Sequence, residues 1–288
     1  MQLHDIQQIG IIGAGQMGAG IALVTAKAGW EVLLNETNSG ALETALTHIQ
    51  KGFDRQIQEE MISTKEADQA FQRIRTSRSL GDMVDVQLVI EAVPEQADLK
   101  SKLFRELGII CKPDVILASN TSSISITKLG AAAGRDELVA GMHFMNPVPV
   151  MKLVEITRGL RTASNTLTCL SDIAKRMGKT PVECKDSPGF IVNRILIPMI
   201  NEAIFAFAEG VAAAEDIDTA MVCGTNHPMG PLALADRIGL DTVLSICEVL
   251  YENFGDPKFR PCPLLRKYVE AGWLGRKSGR GFHNYQEQ

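Results

Sequence analysis

Hydrophobic and polar positions along the chain follow two regimes that meet near residue 187. In the first, short apolar runs alternate with helical stretches. Gln8 to Ile12, Glu31 to Asn35, Val86 to Glu91, Val115 to Ala118, Val139 to Met142, Leu153 to Ile156 and Thr180 to Glu183 read as strands, most of them buried on both faces. Between them, Ala19 to Ala28, Ser39 to about Glu60, Asp98 to Ile110 and Ser164 to Met177 have helical composition. Ser63-Thr64-Lys65-Glu66 has the spacing of a capping box and opens one more helix, whereas Arg75 to Ser77 makes a poor strand candidate. Strands alternating with helices predict an α/β fold, a Rossmann-type doubly wound and mostly parallel sheet. In the second regime no strand is predicted. Asp186-Ser187-Pro188-Gly189 supplies a polar cap and a proline at a helix start, and Phe190 to Glu209 then reads as a long apolar helix ended by Gly210. Helices follow near Ala214 to Met221, Pro231 to Ile238, Thr242 to Tyr251 and Leu264 to Ala271. The expected domains are therefore residues 1–186, α/β, and residues 187–288, an all-helical C-terminal domain. Such a helical domain is expected to close one side of an active-site cleft and to pair with its own copy as a homodimer.

Bulk properties narrow the partners. With 288 residues and 45% apolar content the chain has core enough for two domains. A net charge of -5 and a pI near 5.6 provide no field for a polyanion, so nucleic acid is not an expected partner. The most apolar stretch, Phe190 to Ala208, is interrupted by Asn193, Arg194, Asn201 and Glu202, so no membrane span is expected. The N-terminal residues enter a strand at once, without a targeting segment, and the expected location is cytoplasmic. Six cysteines at 111, 169, 184, 223, 247 and 262 form no Cys-x-x-Cys pair and no cluster with histidine; they read as reduced packing residues, with no metal site.

Candidate chemistry gathers at the strand ends. The first strand runs into Gly13-Ala14-Gly15-Gln16-Met17-Gly18, a G-x-G-x-x-G that is followed by a helix and a second strand, as a dinucleotide fingerprint requires. Gly13 permits the tight turn, Gly15 lets a pyrophosphate approach the backbone and Gly18 allows close helix packing, with the phosphates at the positive end of the helix. Glu36 ends the second strand, where an acid bonds the ribose hydroxyls and repels a 2'-phosphate, which favours NAD over NADP. The strand ending at Glu91 delivers Glu95 to the carboxyl edge of the sheet, with Lys100 and Lys102 on the early turns of the next helix. Another strand delivers Ser119-Asn120-Thr121-Ser122-Ser123 to the same edge, a run suited to hydrogen bonds with a ligand and equally to capping the next helix. His143 ends an apolar strand, the prolines at 147 and 149 force a turn, and Glu155 lies on the strand that follows. An ionised glutamate beside an imidazole fixes its tautomer and favours its protonated form, as a general base requires. Asn193 and Arg194 are out of place on so apolar a helix; they face either solvent or a cleft.

With these motifs in place the chain resembles the 3-hydroxyacyl-CoA dehydrogenase family, and within it the short, monofunctional 3-hydroxybutyryl-CoA dehydrogenases of bacteria. The resemblance covers nearly the whole chain and rests on GAGQMG, VIEAVPE, ASNTSSISIT, GMHFMNPVPVMKLVEI, KDSPGFIVNRILIPMINEA, NHPMGPLALAD and GWLGRKSGRGF. It implies His143 as the catalytic histidine, Glu155 as its partner, Ser122 as an active-site serine and Asn193 as a substrate-side asparagine. It implies cofactor contacts, to NAD, at Gly13, Gly15, Gln16, Met17, Gly18, Glu36, Glu95, Lys100, Ser122 and Asn146. Met145 departs from the HFFNP of relatives, and the helix read as IQKGFDRQIQEEM keeps only Lys51 and Arg55 as bases toward CoA phosphates, ahead of an acidic end. The implied reaction is the reversible NAD-dependent oxidation of a short-chain (S)-3-hydroxyacyl-CoA to the 3-oxoacyl-CoA. Two rivals use the same scaffold: a dehydrogenase of a free hydroxy acid or sugar acid, and a non-catalytic protein of the kind some lens crystallins represent.

Overall fold

Eight strands form one sheet in the computed structural model, which describes residues 3–285; the ends of the expected domains, residues 1–2 and 286–288, lie outside the described residues. The chain divides into two units between Ser187 and Pro188. In chain order the first unit contains β1 (Gln8–Ile12), α1 (Gln16–Lys27), β2 (Glu31–Asn35), α2 (Ser39–Gln58), α3 (Thr64–Gln72), β3 (Ile74–Ser77), β4 (Leu88–Glu91), α4 (Ala97–Ile110), β5 (Ile116–Ser119), α5 (Ile126–Ala133), β6 (Val139–Phe144), β7 (Leu153–Arg158), α6 (Ser164–Arg176) and β8 (Thr180–Lys185). The sheet order is β3-β2-β1-β4-β5-β6-β7-β8, and every neighbouring pair is parallel except β6 with β7. β4, β5 and β6 are buried at every residue, as strands covered by helices on both faces must be. Strand order reverses between β1 and β4, which opens the crevice where ligands of such sheets bind.

Two sequence expectations are corrected. Ile74–Ser77 is a strand after all: its middle residues are exposed, but β2 supplies a parallel ladder that polar side chains on an edge tolerate. Lys100 stands on the first turn of α4, as expected, and is 1% exposed because it finds two carboxylate partners. The long apolar helix begins at Val192 rather than at Phe190, because Gly189 and Phe190 are both left-handed (φ +75° and +48°) and no α-helix runs through such a pair.

The second unit holds α7 (Val192–Ala208), α8 (Ala214–Thr225), α9 (Pro231–Ile238), α10 (Leu240–Phe254) and α11 (Pro263–Glu270). Its core is Ile197, Ile200 and Ile204 of α7 against Leu232, Val243 and Leu250, each burial contributing about 1.5–3 kcal/mol. Asn201, a polar break in α7, is buried because its side chain accepts from the Cys262 amide at 2.9 Å and donates to the Arg260 carbonyl at 3.0 Å. Among the described residues, no helix is long and apolar enough to cross a membrane, and all six cysteines are free thiols.

Candidate active site

The three glycines between β1 and α1 differ in what surrounds them. Gly13 has φ +98° and would place a Cβ 2.6 Å from the Ala92 carbonyl oxygen; a Cβ on Gly18 would lie 1.8 Å from the Gly13 carbonyl oxygen. Those two are required by the turn and by packing. Gly15 meets nothing within 4 Å, so its face is open, and as the N-cap of α1 it offers no side chain to the first amides of that helix. Open space over uncapped helix amides suits a pyrophosphate. Glu36, just past β2, accepts from the Ala14 amide at 3.3 Å and the Asn38 amide at 3.2 Å. Burial pushes its carboxyl up, but the amides of Asn38 and Ala14 and the contacts from Thr37 outweigh that and hold it below the usual carboxylate range. The Gln16 side chain donates to the Asn146 side chain at 3.1 Å, which joins the start of α1 to the β6–β7 connection.

A buried charge network lies behind the edge formed by β4 and β5. Lys100 Nζ is 2.7 Å from Glu91 Oε1 and 3.1 Å from Glu95 Oε2. Glu91, fully buried, also accepts from the Ser119 hydroxyl at 2.5 Å and the Val93 amide at 2.7 Å. Glu95 Oε1 gathers the loop after β5: the Ser122 and Ser123 amides at 3.0 and 3.1 Å, the Thr121 hydroxyl at 2.5 Å, the Ser123 hydroxyl at 2.8 Å and the Ser122 hydroxyl at 3.3 Å. The Ser122 hydroxyl is the most loosely held of that group. Burial pushes both carboxyls up; for Glu95 the Lys100 charge and the hydroxyl bonds prevail and its pKa is lowered, whereas for Glu91 burial prevails and its pKa is raised. Sequence reasoning named Glu95, Lys100 and Ser122 but missed Glu91. The available signal was a carboxylate closing a wholly apolar parallel strand, which is costly unless a cation meets it.

β6 and β7 face each other with His143 and Glu155 as register partners, so both side chains lie on one face of the sheet. Nδ1 of His143 is 2.7 Å from Oε2 of Glu155, with the two side chains 10% and 1% exposed. Asn120, following β5, accepts from the Phe144 amide at 2.8 Å and ties the Ser122 loop to the His143 strand. The connection from β6 to β7 contains a cis Asn146–Pro147 bond. A second residue that sequence reasoning missed holds this connection: Lys179 is buried, with Nζ donating to the carbonyls of Val148 and Met151, the latter at 2.9 Å. Desolvation, reinforced by Lys27, lowers its pKa.

The remaining sequence-derived residues lie on other elements. Lys51 and Arg55 are exposed on α2, and Arg55 pairs with Glu59 at 2.7 Å. Asn193 is on the first turn of α7 in the second unit. The guanidinium of its neighbour Arg194 lies over the rings of Phe254 and Phe259, 4.0 and 4.3 Å from their centroids.

A family model described as 3-hydroxyacyl-CoA dehydrogenase, NAD binding domain, matches residues 8–187, and one described as 3-hydroxyacyl-CoA dehydrogenase, C-terminal domain, matches residues 189–285. The chain is 52% identical to a probable 3-hydroxybutyryl-CoA dehydrogenase of Bacillus subtilis, over 99% of each chain. It is 50% identical to a 3-hydroxybutyryl-CoA dehydrogenase of Bradyrhizobium diazoefficiens, over 98% of this chain and 96% of that one. The crystal structure of an (S)-3-hydroxybutyryl-CoA dehydrogenase from Ralstonia eutropha is similar at a TM-score of 0.95 and 48% identity, covering 98% of this chain and 100% of that one. A Rossmann-type sheet with an intact glycine cradle, followed by a helical unit, and family matches that span nearly every residue lead to one conclusion: the chain belongs to the 3-hydroxyacyl-CoA dehydrogenase family and is an oxidoreductase that uses NAD.

Proposed function

We propose that this enzyme interconverts (S)-3-hydroxybutyryl-CoA, or another short-chain (S)-3-hydroxyacyl-CoA, and its 3-oxo form. The observation that carries the reading is the buried His143–Glu155 pair on the sheet whose edge also bears the glycine cradle. Gly13, Gly15, Gln16, Met17 and Gly18 would hold the dinucleotide at the start of α1, Glu36 would take the adenosine ribose, and Glu95, Lys100, Ser122 and Asn146 would serve its nicotinamide end. Bound NAD would supply the acceptor for the hydride that leaves carbon 3 of the substrate. His143 takes the hydroxyl proton on Nε2, the nitrogen opposite the one that faces Glu155, and Glu155 stabilises the resulting imidazolium. In the reductive direction His143 returns that proton. The Ser122 hydroxyl, with its loop fixed by Glu95, orients the substrate oxygen, and Asn193 orients the thioester. Lys51 and Arg55 attract the CoA phosphates, Lys51 more effectively because Arg55 is shared with Glu59.

Residues 1–186 bind the cofactor, and residues 187–288 close the cleft and form the homodimer. The enzyme works in the cytoplasm. Oxidation of NADH by acetoacetyl-CoA, measured spectrophotometrically and repeated with longer acyl chains and with free acetoacetate, tests the reading. Turnover is expected with the short acyl-CoA and to fall with chain length; equal turnover of free acetoacetate would overturn the CoA assignment.

A further inference from the structure

Nucleotide choice in a doubly wound sheet is made where the chain leaves β2 and its neighbour, around the adenosine ribose. Glu36 leaves β2 there. Arg78 leaves β3 beside it: Asn35 and Ser77 are register partners, the Glu36 amide donates to the Ser77 carbonyl at 3.1 Å, and Arg78 Nε donates to the Thr37 carbonyl at 3.2 Å. The backbone on both sides of Arg78 is fixed from below. Asn35, buried, donates to the Ser79 carbonyl at 2.9 Å, and the buried Ser77 hydroxyl accepts from the Ser79 amide at 3.0 Å. The Arg78 side chain is exposed, and among the described residues its terminal nitrogens make no hydrogen bond and no ion pair. Glu36 takes its bonds from Ala14, Thr37 and Asn38, so it does not neutralise the guanidinium.

We propose that Arg78 is the cationic half of a 2'-phosphate site that Glu36 masks, so that one carboxylate excludes NADP(H) from this enzyme. A 2'-phosphate would bring further negative charge against Glu36, which repels it, while the planar fork of Arg78 at the same corner has the geometry to grip it in two places. Removal of the Glu36 charge is then sufficient to admit NADP(H), with no base added.

The inference rests on the NAD reading above. Equilibrium binding of NADH and of NADPH, followed through nicotinamide fluorescence in the absence of acyl-CoA, gives the ratio of the two dissociation constants. Glu36→Gln removes the charge but keeps an acceptor for the Ala14 and Asn38 amides; it is expected to shift the ratio toward NADPH by roughly 10-fold or more. Glu36→Ser is expected to shift it the same way. Adding Arg78→Ala to Glu36→Gln is expected to cancel most of the gain. A ratio unchanged in both Glu36 variants, or a gain that survives Arg78→Ala, overturns the proposal and leaves the NAD reading intact. Wild-type protein that binds neither nucleotide would overturn the NAD reading and the proposal with it.

Discussion

Two histidines in this protein meet carboxylates at nearly the same distance, one between strands of the sheet and one beside the C-terminal segment. In the first unit His143 Nδ1 lies 2.7 Å from Glu155; in the second His283 Nε2 lies 2.8 Å from Asp218. The second carboxylate also fastens the backbone around it. Asp218 also accepts the Leu232 and Ala233 amides at 2.8 and 2.9 Å, which closes the first turn of α9, and the other ring nitrogen of His283 faces Glu215 at 3.6 Å. Nearby, Asp236 accepts the amides of Phe282 and His283 at 3.0 and 2.9 Å and the Tyr285 hydroxyl at 3.1 Å. A Cβ on Gly281 would sit 1.8 Å from Asp236 Oδ1, so the chain lies flat against that carboxylate. The second pair is part of a clasp that fastens the C-terminal segment. The first pair joins adjacent strands of the sheet that carries the glycine cradle, and its carboxylate meets the histidine at Nδ1. Separation alone therefore does not distinguish a structural clasp from the proposed base.

Turnover separates the two pairs most widely. His143→Gln is expected to lose roughly 10²- to 10⁴-fold in kcat, the usual worth of a positioned base, with NADH binding retained because the cradle and Glu36 are untouched. His283→Gln is expected to keep kcat within about three-fold, because no proposed step uses it. Comparable losses in the two variants would erase the distinction.

Stability should divide them in the opposite sense. Asp236→Ala leaves the buried Phe282 amide and the half-buried His283 amide and Tyr285 hydroxyl without their acceptor, at about 1–3 kcal/mol for a fully buried group and less for the others. An overall loss of about 3 kcal/mol or more is expected in chemical denaturation, with little change in kcat of the folded fraction. A variant as stable as wild type would show that the clasp contributes nothing.

The two regions also differ in how much of them the sequence disclosed. Alternating apolar runs exposed the sheet because buried parallel strands leave long hydrophobic stretches, and the glycine fingerprint stood between a strand and a helix as it must. β3 was obscured because an edge strand needs only one neighbour's ladder and carries polar side chains outward. His143 and Glu155 were visible as a pair because the prolines between them force the chain back on itself. The burial of Lys100 was not legible, since it follows from the positions of Glu91 and Glu95, which no local pattern encodes. Lys179, Asp218 and Asp236 were invisible for a related reason: their partners are largely backbone groups, which look alike in every sequence.

The smallest effect is a difference in the sign of pH dependence, and it sets the clasp against the network behind Ser122. Burial pushes the Asp236 carboxyl above its ordinary value of 3.8, against the His283 and Phe282 amides. The folded protein therefore holds that proton to higher pH than the unfolded chain does. Its contribution is present at low pH and is lost as pH rises from about 3.8 through the raised folded value. Glu95 behaves oppositely: burial raises it, but the Lys100 charge and the hydroxyl bonds leave it below its ordinary 4.5, so its contribution is present above that value and is lost as pH falls through the lowered one. Melting midpoints of wild type, Asp236→Asn and Glu95→Gln, taken from neutral pH down past 4, read both slopes. Neither replacement titrates, so any constant penalty it carries drops out of the slope. Wild type should gain on Asp236→Asn as pH falls and lose against Glu95→Gln over the same range. Slopes of the same sign would mean that the two carboxylates meet similar surroundings, and the contrast between clasp and network would fail at its electrostatic root.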